Sequence, residues 1–291
     1  MNTEQIGLGI ASLPVRSVWD AVKTVRRMGL RSIELMPFWG ENWVHGYLPG
    51  FWFDDFSSLE KARFRKELAD FSHVSTHAPF VNTPLFTFNR GIKQEVMRQI
   101  KNCIKVTEIL GGEMITVHAN AKSPFLGVKG YWRDMVDAFR ELGDFGAKKG
   151  VKIGIETMFP KKVRQYVDLI FDVGHPFVGA TIDVGHISYY IHERLHRTPA
   201  GEEKFNRYLG QMLAELDRKV FHLHLHNVRR KDWRDHLSVT SGIIDYVKLF
   251  QALKRIEYDR LMILEFGGSS EQVIRWTHES KSRIETLMLE D

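Results

Sequence analysis

The chain has 291 residues, 43% hydrophobic and 26% charged, with a formal charge of +5 at pH 7. That usage excludes a disordered or fibrous chain, and the length is enough to bury roughly three quarters of the unfolded surface without staples. The single cysteine, Cys103, excludes an internal disulfide and fits a reducing compartment. The opening Met1-Asn-Thr-Glu-Gln-Ile6 lacks the basic start and apolar stretch of a signal peptide, and no apolar run approaches the ~18 residues of a membrane span. A cytoplasmic protein with no membrane contact is expected. The longest basic block, Arg229-Arg230-Lys231, is too short to single out nucleic acid.

Taken in chain order, short apolar runs alternate with longer stretches of helical period. Strands are predicted at Ile6–Ala11, Ser32–Met36, Val74–Ala78, Met114–His118, Lys152–Thr157, Val178–Asp183, Val220–His226 and Leu261–Phe266. Helices are predicted at Val15–Met28, Ser57–Phe71, Gly91–Leu110, Tyr131–Lys149, Lys162–Phe171, Glu202–Lys219, Ile244–Ile256 and Glu271–Met288. Ser57-Ser58 and Ser269-Ser270 supply helix starts, and Gly111-Gly112 and Gly150 supply stops. Strand then helix, repeated without a composition break, predicts an α/β (β/α)8 TIM barrel filling residues 1–291 as a single domain. A doubly wound sheet is the alternative, but Gly7-Leu-Gly9 lies inside the first strand rather than after it.

The segment Phe38–Phe56 after the second strand is the one long predicted loop, rich in tryptophan and phenylalanine. It should lie on the face where barrel active sites form, as an aromatic lid with Trp39 stacked on a ligand. Packing of these rings against the loop itself or a second subunit is the competing expectation, and a homo-oligomer is compatible with it.

The stretch Phe221-His-Leu-His-Leu-His-Asn227, read as a strand, puts His222, His224 and His226 on one face. Each buried imidazole needs its donor and acceptor paired, so such a row points to a metal or a hydrogen-bonded polar centre; a solvated edge strand is the plainer alternative. Elsewhere Glu34, His77, His118, Glu156, Asp183 and Glu265 also fall at or near strand ends. Carboxylates and imidazoles brought to one rim must neutralise each other or a shared cation. His186, three residues past Asp183, and the stretch Asp235-His236 can join them.

These residues resemble the xylose isomerase-like barrels, which include sugar (phosphate) isomerases and epimerases and the endonuclease IV type of repair enzyme. The resemblance runs through His77-Ala-Pro-Phe80, Val117-His118, Ile155-Glu156, Ile182-Asp183-Val-Gly-His186, His224-Leu-His-Asn227, Asp235-His236 and Leu264-Glu265. It implies that Glu156, Asp183, His224 and Glu265 hold one divalent metal (Mn2+, Co2+, Mg2+ or Zn2+), and that His186 and Arg229 contact the substrate. The endonuclease branch would add His77, His118, His186, His236 and a nearby Asp to hold more than one Zn2+. The sequence departs from its relatives at Asn227, at Ala119-Asn120 after His118, and at Asp235-His236, which are adjacent where endonuclease relatives separate them by one residue.

Two chemistries follow. In the first, the chain is a metal-dependent isomerase or epimerase of a small sugar or sugar phosphate; Glu156 and Glu265 remove and return a proton through a metal-stabilised enediolate. In the second, it is a zinc phosphodiesterase acting on abasic DNA. A barrel that binds a sugar without turning it over is a third reading.

Overall fold

The computed structural model describes residues 1–15, 17–38, 41–43, 46–120 and 128–290, with the backbone alone at 41–43 and 46–48. Trp39 therefore lies outside the described residues. The strands are β1 (Ile6–Gly9), β2 (Ser32–Leu35), β3 (Glu41–Trp43), β4 (Gly46–Leu48), β5 (His73–His77), β6 (Met114–Val117), β7 (Lys152–Glu156), β8 (Val178–Asp183), β9 (Val220–Leu225) and β10 (Met262–Leu264). The helices are α1 (Val18–Arg27), α2 (Ser58–Leu68), α3 (Arg90–Ile109), α4 (Val128–Ala147), α5 (Val163–Val173), α6 (Pro199–Leu216), α7 (Tyr246–Arg255) and α8 (Ser270–Leu289). Eight parallel strands close in the order β1-β10-β9-β8-β7-β6-β5-β2, and β3 and β4 form a separate antiparallel pair. The chain is a (β/α)8 barrel, as its alternating pattern predicts.

The strand period of two sorts side chains between two environments. One face carries Ile33, Leu35, Ile115, Ile153, Ile155, Ile182 and Leu223, all fully buried. Covering each such side chain contributes roughly 1.5–3 kcal/mol, and these stripes bind the ring of helices to the barrel. The other face is unusually polar. Ser75 Oγ donates to Glu34, and Thr116 and Thr181 hydrogen-bond to each other across the interior at 3.2 Å. Between β8 and β9 the register slips at Phe221, so Thr181 pairs with His222 and Asp183 with His224. That slip makes Asp183 and His224 cross-strand neighbours.

The helix punctuation read from sequence is realised. Ser57 and Ser269 each close a capping box with Glu60 and Gln272, and Gly111 and Gly150 adopt left-handed φ of +77° and +68°. Among the described residues, no helix is long and apolar enough to cross a membrane.

The segment 38–56 differs from its expectation. It contains the β3/β4 pair and a 3-10 turn at Phe53–Asp55, not one continuous loop. Phe51 and Phe56 stack on each other, Phe56 stacks on Trp19, and Phe64 packs edge-on against both Trp19 and Phe56. Phe51, Phe53 and Phe56 thus join the packing of α1 and α2 rather than forming a lid, because ring-on-ring burial there removes more apolar surface from water than an open loop tip would, whereas Phe38 packs edge-on against Phe80.

Candidate metal centre and cleft

At the carboxyl ends of the strands, β7 brings Glu156, β8 Asp183, β9 His224, and the residue after β10 is Glu265. One donor atom from each of the four lies within 4.8 Å of the others. An ion bonded at ~2.0–2.3 Å spans a ligand shell of that width. Three carboxylates and one imidazole form a donor set for a hard or borderline divalent cation, so the residues fit the metal that the family implies.

Without a cation the charges balance through histidines. Burial opposes ionisation of Glu156, but His118, His224 and His77 outweigh it and hold the carboxyl well below its ordinary range. His224 Nδ1 lies 3.1 Å from Glu156 Oε1 and 3.5 Å from Glu265 Oε2. Despite burial, Glu265, Glu34 and Glu156 raise its pKa well above the usual value. Glu265 is pushed up to about 7, chiefly by burial and then by the neighbouring carboxylates. Burial also opposes ionisation of Asp183, yet His186 and His226 depress its pKa; its Oδ1 accepts the backbone N–H groups of Gly185 and His186 at 2.8 and 2.9 Å.

Another pair of buried polar groups, Glu34 and His222, packs against His224. Glu34 is 1% exposed, accepts Ser75 Oγ at 3.0 Å and His222 Nε2 at 2.9 Å, and sits with Oε1 3.1 Å from His224 Nε2, off the ideal hydrogen-bond direction. Burial resists its ionisation, but His224 and His222 hold the pKa well below the ordinary range. Burial lowers the pKa of His222, whose Nδ1 has no hydrogen-bond partner. His222 is therefore a neutral ring that gives its one proton to Glu34, the cheaper way to leave a nitrogen bare. The sequence places Glu34 and His222 among the polar groups of the strands but gives neither a role and does not pair them. The alternation of the His-Leu-His stretch was the signal that marks His222.

The other sequence candidates are also placed. His77 Nδ1 donates to the Ala78 carbonyl at 2.7 Å, and His186 Nδ1 donates to the Thr157 carbonyl at 2.8 Å, so each turns Nε2 inward. His77 Nε2 lies 3.3 Å from Glu156 Oε2, and His118 Nε2 contacts the same oxygen. Among the described residues four further groups bring donors close enough for a metal: His77–His118–Glu156, His186–Asp235–His236, Glu34–His222–His224 and Asp183–His226–His236. Asp235 and His236 reach the centre together although adjacent, because His236 adopts a left-handed φ of +56°. Burial and His226 lower the His236 pKa to about 4, so the ring is neutral. Arg229 is not brought to the centre: its Nε donates to Asp232 Oδ1 at 2.8 Å and its side chain is 45% exposed.

A cleft of about 530 Å³ opens above the centre, within the range of small-ligand sites. His77, His118, His186, His236, Glu156 and Glu265 line one side; Ile10, Met36, Phe80, Met158 and Phe266 supply apolar walls. No Lys or Arg is among its described lining residues.

A family model described as a xylose isomerase-like TIM barrel matches residues 22–287. An uncharacterized protein of Methanocaldococcus jannaschii is 22% identical over 220 residues, covering 72% of this chain and 70% of the relative. An L-ribulose 3-epimerase structure superposes with a TM-score of 0.74 at 14% identity, covering 97% of this chain and 94% of the other. The IOLI protein with a bound zinc atom superposes with a TM-score of 0.72 at 15% identity, covering 96% and 97%. At such identities the superpositions establish a shared fold, and the family match supplies the classification: this chain belongs to the xylose isomerase-like TIM barrel family.

Proposed function

We propose that the chain is a divalent-metal-dependent isomerase or epimerase acting on a small, unphosphorylated sugar. The observation that carries this reading is the convergence of Glu156 and Glu265 on the one point that Asp183 and His224 also face, at the floor of a small-ligand cleft. A cation held there would polarise the substrate's carbonyl and stabilise the charge that develops when the neighbouring carbon loses its proton. Glu156 is placed beside that point to accept the proton. Glu265, also one of the four donors, is placed to return it through whichever oxygen does not hold the cation. Nε2 of His186, free of the backbone, faces the cleft and can hydrogen-bond a substrate hydroxyl. The IOLI protein, which shares this fold, binds a zinc atom, and that supports the reading of a metal-dependent chain.

The cleft argues against a phosphorylated substrate. Among its described lining residues no Lys or Arg waits for a phosphate, and at the start of α8 two of the amides are taken, with Ser269 accepting the Gln272 amide and Gln272 accepting that of Ser269. Incubating ketoses with the metal-loaded protein in deuterated water should give exchange at one carbon, abolished in both Glu156→Gln and Glu265→Gln. Near-wild-type exchange in either variant removes that residue from the proton path.

One observation favours the phosphodiesterase reading: the groups His77–His118–Glu156 and His186–Asp235–His236 flank the central four and could hold two further ions. Metal content separates the two. About one ion per chain supports the isomerase, and about three zincs with cleavage of abasic DNA supports the nuclease.

A further inference from the structure

His226 has a place in neither proposed chemistry, yet it is fully buried and both its nitrogens are engaged. The backbone N–H of His236 donates to its Nδ1 at 2.9 Å. A nitrogen that accepts an amide proton cannot also carry one, so the ring's proton is on Nε2. That nitrogen lies 2.9 Å from Asp183 Oδ1 and 3.1 Å from Oδ2. Oδ1 already takes two backbone donors, which leaves Oδ2 with lone pairs to spare. The ring also stacks on His236 with centroids 4.1 Å apart, and it occupies the space beside Gly185 where any Cβ would stand 2.0 Å from its Cε1. Tyr246 Oη holds the His226 carbonyl at 2.8 Å, so the ring has little freedom to turn.

We propose that His226 is a positioning residue with one task per nitrogen. Nε2–H holds Asp183 with Oδ2 turned to the cation, and Nδ1 anchors the left-handed turn that places Asp235 and His236 over the cleft. The proposal rests on the reading of Asp183 as a metal ligand. It makes the centre and the segment 229–240 mechanically continuous: fixing Asp183 fixes the ring, and the ring fixes the turn. It also explains how a strained backbone at His236 is maintained, since such conformations persist only where surrounding contacts over-determine them.

The two tasks can be separated. In His226→Asn the side-chain oxygen reaches about as far as Nδ1, so it can accept the His236 amide but cannot reach Asp183. In His226→Gln the terminal amide reaches about as far as Nε2, so it can donate to Asp183 but not hold the turn. Mn2+ affinity is measured by chelator competition on the full chain, and amide exchange across residues 229–240 by mass spectrometry with and without Mn2+. The expected result is a Kd raised about 10- to 100-fold in the Asn variant and kept within about threefold in the Gln variant. Exchange in 229–240 should be slowed by Mn2+ in wild type, and be about tenfold faster and insensitive to Mn2+ in the Gln variant.

Equal losses of affinity in both variants, or an unchanged 229–240 segment in the Gln variant, overturn the proposal. Wild-type protein that binds no Mn2+ overturns the metal reading and the Asp183 task with it, while exchange in the Gln variant still decides the Nδ1 task. Should a variant fail to fold, nitrogen-15 correlation spectra of wild-type His226 serve instead. A ring protonated at Nε2 alone supports the proposal, and one protonated at Nδ1 overturns it.

Discussion

Replacing Glu34 by Gln changes one atom and no volume, yet it should weaken the metal centre although Glu34 is outside the four-donor set, through its contact with His224. The Glu34 carboxylate faces two imidazoles, His222 at 2.9 Å and His224 at 3.1 Å, and accepts Ser75 as well. A Gln side chain has one acceptor oxygen, so it can serve one ring while turning its NH2 toward the other. If the oxygen serves His222, the His224 proton is driven from Nε2 to Nδ1, the nitrogen that faces Glu156 and Glu265. The lone pair meant for the cation is then occupied. Outer-shell partners of this kind alter metal affinity by about 10- to 100-fold, equivalent to ~1.4–2.8 kcal/mol. Losing one partner of a fully buried charged pair also costs the metal-free fold ~3–5 kcal/mol. Co2+ titration followed by its visible absorption reads the first effect, and thermal melting without metal reads the second. A Glu34→Gln protein that binds Co2+ within about threefold of wild type, with the same spectrum, would refute the argument that Glu34 sets the His224 tautomer.

Three further outcomes are expected. Glu265 titrates near 7 in the metal-free protein because burial and its neighbours favour the neutral acid, so a proton competes with the cation below that pH. Cation affinity should fall at least about tenfold per pH unit beneath 7 and keep rising above it while His224, whose pKa is also raised, gives up its proton; a pH-independent Kd between 5.5 and 7 contradicts this. Gly185→Ala puts a Cβ 2.0 Å from His226 Cε1, and the displaced ring should cost ~1–3 kcal/mol in a denaturant melt and loosen the Asp183 contact, an expectation that an unchanged midpoint would sink. Arg229→Ala should leave cation affinity and turnover unchanged, because its guanidinium is engaged by Asp232 at the surface; a large rise in KM would restore it to the substrate path.

Much of the barrel was legible because the strand and helix periods are unbroken and the punctuation is local. Ser57, Ser269, Gly111 and Gly150 act through their own neighbours, which a linear reading captures. The convergence of Glu156, Asp183, His224 and Glu265 was legible for a related reason: parallel strands deliver their last residues to one rim. What escaped depends on contacts between distant segments. Glu34 and His222 are 188 positions apart and meet only once the barrel closes. The Asp235–His236 pair looked mis-spaced because nothing in the residue types announces a left-handed His236. Arg229 was assigned by position in a motif, and a carboxylate three residues on, Asp232, took its guanidinium instead. The phenylalanines of 51–56 were read as a lid from their place after β2, but Trp19 and Phe64 offered them a core.

The most direct test is anomalous diffraction from crystals of the Mn2+-soaked protein. A single strong peak within ~2.0–2.3 Å of Glu156, Asp183, His224 Nδ1 and Glu265 is the predicted result. Crystals that carry no peak there, or carry it only at the His77–His118 or His186–His236 positions, would contradict the account of the centre.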